Sequence, residues 1–436
     1  MTTSTNSIDE NTILDLPKEI ESTRFDDGVL LTAPKCGNFI GLFNEKQEAI
    51  FKSLQSHSIA QVGQLADNDD DFNFVVAQIL DREFFDTPLK MLDIYGTALI
   101  YLTNACNLSC PHCYMSSGRA NADELTKNEW LEVLTNLQKY GVREVIFSGG
   151  EIMLNKDCLD ITKFAKRLGL IVRLKSNGTL WDRDSIAEIA NFIDDIQISI
   201  DGINEEMNAK VRGKGSFDRA ISCVEEFLGN GAKVIIACTP TYDNIKEIEA
   251  GFVGFAKDLL DKYPQNLSFI VSQKMLGGRG VQIKFDEEQK SYAKITDSIM
   301  DRIYPNYNLK NLAISIEGKE RIRNCGYGNL AIASNGKIYL CNRVDELAPF
   351  ADIKQNLGEV LKLAMEFNKR SSVDFTNPCK DCSVRYICGG GCRIDEYKFK
   401  GRQDLLKQEL QRECSNDFRK RFKQNLFNGL KYIYAV

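Results

Sequence analysis

Three closely spaced cysteines, Cys106, Cys110 and Cys113, are the residues of this chain best suited to chemistry. The apolar run at 99–102 precedes them and predicts a strand, so the thiols occupy the loop at its carboxyl end. Three thiolates at this spacing can bind one inorganic site but leave a coordination position open. Structural zinc sites are normally closed by four protein ligands. The spacing therefore indicates a reactive centre, for which an iron–sulfur cluster held by thiolates is the natural candidate.

Composition restricts the possible partners. The chain has 436 residues, with 55 Lys and Arg against 61 Asp and Glu, which gives a net charge of −6. This balance disfavours nucleic acid as a partner. The polar segment 1–10 lacks the features of a secretory signal, and no run reaches the roughly 18 apolar residues of a membrane helix. We therefore expect no membrane association and a cytoplasmic location, where the 14 cysteines serve metal binding or catalysis rather than disulfides.

Histidine is scarce, since only His57 and His112 are present. They lie far apart in the sequence, which excludes an HExxH zinc site, and their scarcity argues against a Ser-His-Asp hydrolase. The chemistry of the chain is expected to depend on sulfur.

Strand and helix patterns alternate over residues 91–285. Six β-then-α units predict parallel strands with right-handed crossovers, arranged as a partial (β/α)6 TIM-like barrel or as a doubly wound sheet. In both arrangements function gathers on the loops after the strands. The predicted strands are 99–103, 144–148, 170–175, 195–200, 233–239 and 267–272. The loops after the first five contain the Cys triplet, Ser148 to Glu151, Ser176 to Gly178, Ser199 to Gly202, and Thr239 to Thr241.

The remaining sequence divides into smaller units. We expect residues 1–23 to be disordered. A hairpin and three helical patterns, capped by Asn44, Ser58 and Asp69, predict a winged-helix-like domain over 24–90. Beyond a bridging region at 286–316, which begins with a helical pattern, the Cys-dense region 317–415 contains a hairpin with an Asn335-Gly336 turn. Such loop-rich sequence needs metal to hold it together, and a helical tail at 416–436 ends the chain.

The Cys triplet on a predicted β/α barrel resembles the signature of radical S-adenosylmethionine (SAM) enzymes, a resemblance that covers most of residues 98–275. It implies a 4Fe–4S cluster held by Cys106, Cys110 and Cys113, with the fourth iron open to the amino and carboxylate groups of SAM. It also implies reductive cleavage of SAM to a 5′-deoxyadenosyl radical that abstracts hydrogen from a substrate. A low-potential electron donor such as flavodoxin or ferredoxin is then required.

The same resemblance assigns the SAM contacts. Gly149, Gly150 and Glu151 are similar to a Gly-Gly-Glu segment that supports the methionine amino group, although Ile152 stands where relatives often have Pro. Taken singly, Ser176-Asn177-Gly178 is ordinary turn sequence, Arg212 is typical of a solvated surface, and His112 of a satisfied hydrogen-bonding residue. The implied contacts are Ser176 and Asn177 with the ribose, Ser199 and Asp201 near the nucleoside, Thr239 in the same site, Arg212 with the methionine carboxylate, and His112 near the adenine.

The C-terminal cysteines resemble the SPASM domain, named for subtilosin, pyrroloquinoline quinone, anaerobic sulfatase and mycofactocin maturation. The resemblance implies two auxiliary 4Fe–4S clusters, and zinc is the alternative for the segment 379–392. One cluster would be one protein ligand short, and we expect its open iron to take a substrate thiolate, water, or a carboxylate such as Glu317 or Glu320. The implied ligands are Cys379, Cys382, Cys388 and Cys414 for one cluster, and Cys325, Cys341 and Cys392 for the other.

The N-terminal unit is similar to the peptide-binding domain of pyrroloquinoline quinone biosynthesis, which implies a leader segment bound by strand addition. A packing or DNA-binding-like module is the alternative. The segment 102–106 is most similar to sactipeptide and ranthipeptide maturases. We therefore expect a maturase that cross-links a ribosomally made precursor peptide, first as a Cys thioether. Carbon–carbon cyclophane formation, protein side-chain oxidation as in anaerobic sulfatase maturation, and a non-catalytic metal- and peptide-binding protein remain as alternatives.

Overall fold

A computed structural model of the chain describes residues 9–66, 69–87, 96–275, 277–282, 287–307, 321, 323–344, 347–394 and 410–436. Among these residues no helix is long and apolar enough to cross a lipid bilayer. The sequence pattern also predicts a short strand at 311–317, which lies outside the described residues.

The N-terminal domain is a three-stranded antiparallel sheet with three helices on one face. The predicted capping residues Asn44, Ser58 and Asp69 each accept a hydrogen bond from the third backbone N–H of their helix. Each such cap stabilises a helix by about 1 kcal/mol. The elements are β1 (Glu21–Phe25), β2 (Gly28–Ala33), β3 (Asn38–Leu42), α1 (Glu45–Leu54), α2 (Ile59–Leu65) and α3 (Asp70–Asp81), and the sheet order is β1-β2-β3.

The disorder predicted for residues 1–23 is wrong from residue 9 onward. Leu14 and Leu16 are buried in the core of the N-terminal domain, and Glu21 already begins β1. The sequence did not reveal this order. The first ten residues are polar, and Leu14 and Leu16 alone produce no periodic pattern.

The central domain contains six parallel strands in chain order, which confirms the partial (β/α)6 barrel. The strands are β4 (Thr97–Tyr101), β5 (Glu144–Ser148), β6 (Ile171–Ser176), β7 (Asp195–Ser199), β8 (Val234–Cys238) and β9 (Leu267–Val271). The helices that follow them are α4 (Lys127–Lys139), α5 (Cys158–Arg167), α6 (Arg183–Ile189), α7 (Glu205–Arg212), α8 (Ser216–Gly229), α9 (Ile245–Lys262) and α10 (Glu287–Ile303).

Side chains alternate along these strands, so that one face of the sheet packs against the helices. Phe147 and Leu174 are fully or almost fully buried and share a core with Trp130 and Leu134 of α4. Burying such a side chain contributes about 1.5–3 kcal/mol. The opposite face of the sheet is polar or only partly covered at several positions, and this face lines the inside of the barrel.

The C-terminal hairpin lies in the same sheet as the barrel, which the predicted domain division did not anticipate. It consists of β10 (Leu330–Ile332) and β11 (Lys337–Tyr339), and β10 pairs in parallel with β4. A short β12 (Ala351–Asp352) extends the sheet to nine strands in the order β12-β11-β10-β4-β5-β6-β7-β8-β9. The Cys-rich region is therefore attached to the barrel beside the strand that carries the Cys triplet.

The predicted C-terminal tail is an integral part of the N-terminal domain. Further along the chain lie α11 (Leu357–Arg370), β13 (Thr376–Asn377), α12 (Arg385–Cys388), β14 (Leu410–Gln411) and α13 (Asn416–Tyr434). Phe427 and Leu430 of α13 pack on Leu30 and Phe39, on the face of the N-terminal sheet opposite its own helices. The two ends of the chain thus form one hydrophobic core.

Candidate functional site

The Cys triplet lies in the loop after β4, as predicted. Cys110 is buried, and Cys106 and Cys113 are partly buried. Burial raises the pKa of the Cys106 thiol, and Glu151 and the other two thiols act in the same direction. The three thiols are therefore electrostatic neighbours at one place on the barrel rim.

Backbone hydrogen bonds hold this loop in shape. The carboxylate of Glu124 accepts from the Thr103 hydroxyl at 2.8 Å and from the Asn104 N–H at 2.7 Å. The Cys106 N–H donates to the Gly118 carbonyl at 3.0 Å, and the Gly118 N–H donates to the Asn104 carbonyl at 3.0 Å. The loop is thus closed on itself on both sides of Cys106.

Gly149 and Gly150 press directly against the chain just before Cys106. The Gly150 N–H donates to the Thr103 carbonyl at 2.9 Å, and the Glu151 N–H donates to the Ala105 carbonyl at 2.7 Å. A Cβ on Gly149 would lie 2.4 Å from the Thr103 oxygen, and one on Gly150 would lie 2.1 Å from the Ala105 oxygen. Only glycine permits this approach, and it fixes the loop after β5 against the Cys loop.

Glu151 joins the loops after β5 and β6. Its carboxylate is 1% exposed and accepts from the Ser176 hydroxyl and the Asn177 N–H, both at 2.7 Å. Burial raises the pKa of Glu151, although these hydrogen bonds oppose the shift. In this structure Glu151 positions Ser176 and Asn177, and its predicted contact with an amino group stays a prediction.

Asp201 is the centre of a buried ion cluster after β7. It is completely buried; its Oδ1 accepts from the Thr239 N–H at 2.7 Å, while its Oδ2 lies 2.7 Å from Arg212 Nε and 3.2 Å from His112 Nε2. Burial alone would raise the pKa of Asp201, but the Arg212 guanidinium and His112 lower it to about 2. Burial raises the pKa of Cys110; Arg212 opposes this shift and Asp201 adds to it, which places this cluster beside the Cys loop.

These contacts place the predicted SAM-binding residues on one rim. The Thr239 hydroxyl lies 2.9 Å from that of Ser272, and Ser199 ends β7 with a partly buried side chain. Asp201 has no exposed surface, so in this structure it acts through His112 and Arg212 rather than by touching a ligand. The individual assignments to ribose, nucleoside, carboxylate and adenine stay predictions.

Sequence reasoning missed several residues that connect the rim loops. The Asn107 Nδ2 donates to the Thr179 hydroxyl at 2.8 Å, and its Oδ1 accepts from Asn177 Nδ2 at 3.0 Å. The Gly280 N–H donates to the Pro111 carbonyl at 2.8 Å, so the loop after β9 reaches back to the Cys loop. The Gly-Gly-Arg-Gly segment at 277–280 was the available signal, because glycines between polar residues often mark close backbone contact.

The C-terminal cysteines lie near one another in two places, and their assignment as ligands of two auxiliary clusters stays a prediction. Cys379, Cys382, Cys388 and Cys414 line one small pocket. Cys341 has Cys325 and Cys392 as charge neighbours, and burial raises its pKa to about 11. The intervening residues Gly389, Gly390 and Gly391 all have positive φ, which lets the chain turn so that Cys388 and Cys392 enter different groups.

The other four cysteines belong to none of the three thiol sets, although Cys238 is an electrostatic neighbour of Asp201 and Arg212. Cys158, Cys223 and Cys238 are 0–3% exposed in helices or strands, as is typical of free cysteines that behave as small apolar side chains. Cys36 is buried with its sulfur 3.9 Å from Asp86 Oδ1. The predicted alternative ligands Glu317 and Glu320 lie outside the described residues.

The rim residues fit a sulfur-bound cluster with a polar ligand. Within the described ranges no three His, Cys, Asp or Glu side chains close on a single metal ion. The three thiols share one loop, and the buried His112 Nδ1 has no hydrogen-bond partner among the described residues. A bound ligand would therefore meet a thiol set, an unsatisfied ring nitrogen and a guanidinium at the same rim.

Comparison with known proteins agrees with this geometry. Residues 100–250 match the Radical SAM superfamily. The sporulation killing factor maturation protein SkfB of Bacillus subtilis is 35% identical over 171 residues, covering 37% of this chain and 41% of that protein. The mycofactocin maturase MftC of Mycolicibacterium smegmatis is 28% identical over 324 residues, covering 68% of this chain and 77% of that protein.

This chain thus contains a central region, residues 100–250, that matches the radical SAM superfamily. Its fold is similar to that of Streptococcus suis SuiB bound to S-adenosylmethionine, with a TM-score of 0.50 and 18% identity, over 90% of this chain and 100% of the other. The cluster and SAM that this superfamily implies match the residues assembled at the barrel rim.

Proposed function

We propose that this chain is a radical SAM peptide maturase that cross-links a ribosomally made precursor peptide in the cytoplasm. The observation that carries the proposal is the rim itself, where three neighbouring thiols lie beside the buried Asp201–Arg212–His112 cluster. The names of the relatives SkfB and MftC, both maturation proteins, support a peptide or protein substrate. When bound, the cluster and SAM supply a 5′-deoxyadenosyl radical that abstracts hydrogen.

A thioether from a substrate Cys is the bond we favour. It requires that a C–H and an S–H bond are replaced by one C–S bond, with loss of two hydrogen atoms. One hydrogen atom leaves with 5′-deoxyadenosine, and the remaining electron and proton pass to an auxiliary acceptor and to solvent. The group Cys325, Cys341 and Cys392 offers three protein thiols, which leaves a position for a substrate thiolate in an auxiliary 4Fe–4S cluster.

Iron content and product mass test this function. Anaerobically purified protein should be brown with about twelve iron atoms per chain, and should form 5′-deoxyadenosine with dithionite or a flavodoxin or ferredoxin. Co-expression with a short Cys-containing peptide encoded by a neighbouring gene should lower the peptide mass by two hydrogen atoms per cross-link. Colourless protein containing only zinc would refute the enzyme and favour a metal scaffold. A cross-link that survives Cys→Ala in the peptide would favour a carbon–carbon bond.

The N-terminal domain is proposed to bind the leader by strand addition at β1. The outer edge of β3 is blocked at Gly41, because the Gln78 side chain satisfies both of its backbone groups. The Gly41 N–H donates to Gln78 Oε1 at 3.1 Å, and the Gly41 carbonyl accepts from Gln78 Nε2 at 2.6 Å. Hydrogen-bonding direction alternates along antiparallel strands. Leu30 pairs with Gly41 on one side and with Thr23 on the other, so the backbone groups of Thr23 point inward, toward β2. The backbone groups of its neighbour Ser22 therefore point outward, away from the sheet. An edge strand with outward N–H groups can receive an extended peptide.

Proline at position 22 tests this edge. Ser22→Pro removes an outward N–H without removing a bond between β1 and β2, so leader affinity should fall about tenfold while the domain stays folded. Ser22→Val is the matched control, because it keeps the N–H and should bind normally. Unchanged leader affinity in Ser22→Pro would exclude strand addition at β1. Deleting residues 1–90 is a poorer test, since it would expose Phe427 and Leu430.

A further inference from the structure

The inner face of the barrel sheet is only partly covered. On β6 the buried residues Val172 and Leu174 face the helices, so Ile171, Arg173 and Lys175 face inward. Of these, Lys175 is exposed and lies at the carboxyl end of the strand, next to the rim. An exposed charged side chain on the inner face of a barrel sheet is placed to meet a ligand rather than to pack in the core.

Two inward-facing cations of β6 differ in their surroundings. Arg173 is neutralised, because its Nε lies 2.8 Å from Glu144 Oε1 and another nitrogen pairs with Asp195. Lys175, two residues closer to the rim, forms no hydrogen bond or ion pair with any described residue. Its side chain is exposed to solvent, yet surrounding protein lowers its pKa by desolvation, against a weaker opposing effect of Asp195.

The position of Lys175 connects it to the reactive rim. Lys175 pairs in register with Gln197 of β7. On the other side of β6, Leu174 pairs with Phe147 of β5, so Lys175 lies level with the next residue, Ser148. The next residue, Ser176, is already part of the rim through its bond to Glu151. A ligand group that meets the Lys175 ammonium would therefore lie inside the barrel, just below the residues assigned to SAM.

We infer that Lys175 binds a carboxylate of the substrate inside the barrel and so positions the reacting segment. The inference rests on the proposed function for the presence of a peptide there. Lys175 is partly desolvated and has no anionic partner in the described structure, and a substrate carboxylate would supply a charge-assisted hydrogen bond. An ammonium is a point charge without a fixed bidentate geometry, so a Glu or Asp side chain and a C-terminal carboxylate are both suitable sources.

Competitive acetylation tests the site on the full-length, anaerobically reconstituted protein. The protein is treated briefly with an acetyl-N-hydroxysuccinimide ester, and acetylation of Lys175 is quantified by mass spectrometry against Lys257, an exposed lysine of α9. The probes are N-acetyl-Gly-Glu-Gly-amide, N-acetyl-Gly-Gly-Gly with a free C-terminus, and the neutral N-acetyl-Gly-Gln-Gly-amide.

A carboxylate probe should slow acetylation of Lys175 at least about threefold and leave Lys257 unchanged, while the neutral probe has no effect. Protection by the glutamyl probe alone identifies an acidic side chain, and protection by the free C-terminus identifies the chain end. Equal protection by all three probes, or protection by none, would overturn the inference.

Variants separate charge from shape. Lys175→Met should weaken binding of the protecting probe about tenfold in calorimetry, whereas Lys175→Arg and the control Lys257→Met should bind within about twofold of wild type. Equal affinity in Lys175→Met would refute the carboxylate site. Because neither measurement needs turnover, failure to form 5′-deoxyadenosine would refute the proposed enzyme, whereas lack of protection in a SAM-cleaving protein would refute only the role of Lys175.

Discussion

The two cysteine regions of this protein are built on different physical principles. The Cys106–Cys113 loop is held at the end of a parallel strand, and glycines of the next loop contact its backbone. The C-terminal cysteines lie around short elements such as β13 and α12, with three consecutive glycines at positive φ. The first site is organised by backbone contacts between loops of the barrel, whereas the second is built from short elements and should depend on metal for its structure.

The largest expected contrast is in activity. Cys110→Ala should reduce 5′-deoxyadenosine formation to background and lower the iron content by about four atoms per chain, because the SAM-binding cluster needs all three thiolates. Cys388→Ala should keep 5′-deoxyadenosine formation but lose the cross-linked product. Chromatography of the nucleoside and mass spectrometry of the peptide distinguish the two outcomes. Equal loss of nucleoside in both variants would show that the two regions act as one site.

Metal removal should affect the two regions unequally. After chelation, the segment 379–392 should become sensitive to protease, while the barrel sheet, including β10 and β11, and the N-terminal domain keep their protection, since their strands are held by extensive hydrophobic cores. Limited proteolysis with peptide mapping is the measurement. Simultaneous loss of protection throughout the barrel would contradict the view that its rim is organised by backbone contacts between loops.

Asp201 provides a test of the rim itself. Asp201→Asn removes the charge that compensates the buried Arg212, and should lower the free energy of unfolding by about 3 kcal/mol at neutral pH. The folded pKa of about 2 lies below the ordinary value of 3.8, so this stabilisation is present above about pH 4 and is lost as the pH falls toward 2. The free energies of unfolding of the metal-free wild type and Asp201→Asn, measured with denaturant, should therefore converge as the pH is lowered. A difference in the free energy of unfolding that stays constant from pH 7 to pH 3 would show that the charge of Asp201 is not its cause.

A glycine substitution should have the smallest effect of the four. Gly150→Ala places a Cβ 2.1 Å from the Ala105 carbonyl, so the Cys loop must shift, at a cost of about 1–3 kcal/mol. Gly254→Ala is the matched control, because its Cβ would meet no atom within 4 Å on α9, and helix propensity predicts slight stabilisation. Thermal unfolding compares them, and SAM affinity should fall only in Gly150→Ala. Equal melting temperatures would show that the loops are not tightly fixed.

Much of the architecture was predictable because it depends on local patterns. The caps at Asn44, Ser58 and Asp69, the six parallel strands and the Asn335-Gly336 hairpin follow from short-range chemistry and periodicity. The contact of α13 with the N-terminal sheet was not predictable, since the apolar pattern of an amphipathic helix does not specify which distant element it packs against. For the same reason, pairing of β10 with β4 was missed.

The sequence alone determined which residues are predicted to carry the chemistry, because cysteine spacing and glycine-rich loops are local properties of the chain. The tertiary structure decided how those residues act on one another. It made Glu151 a buried link between two loops, paired Arg212 with Asp201, and left Lys175 facing the barrel interior beside a neutralised Arg173. Burial and long-range pairing determine charge and orientation, and both arise only when distant strands are brought together.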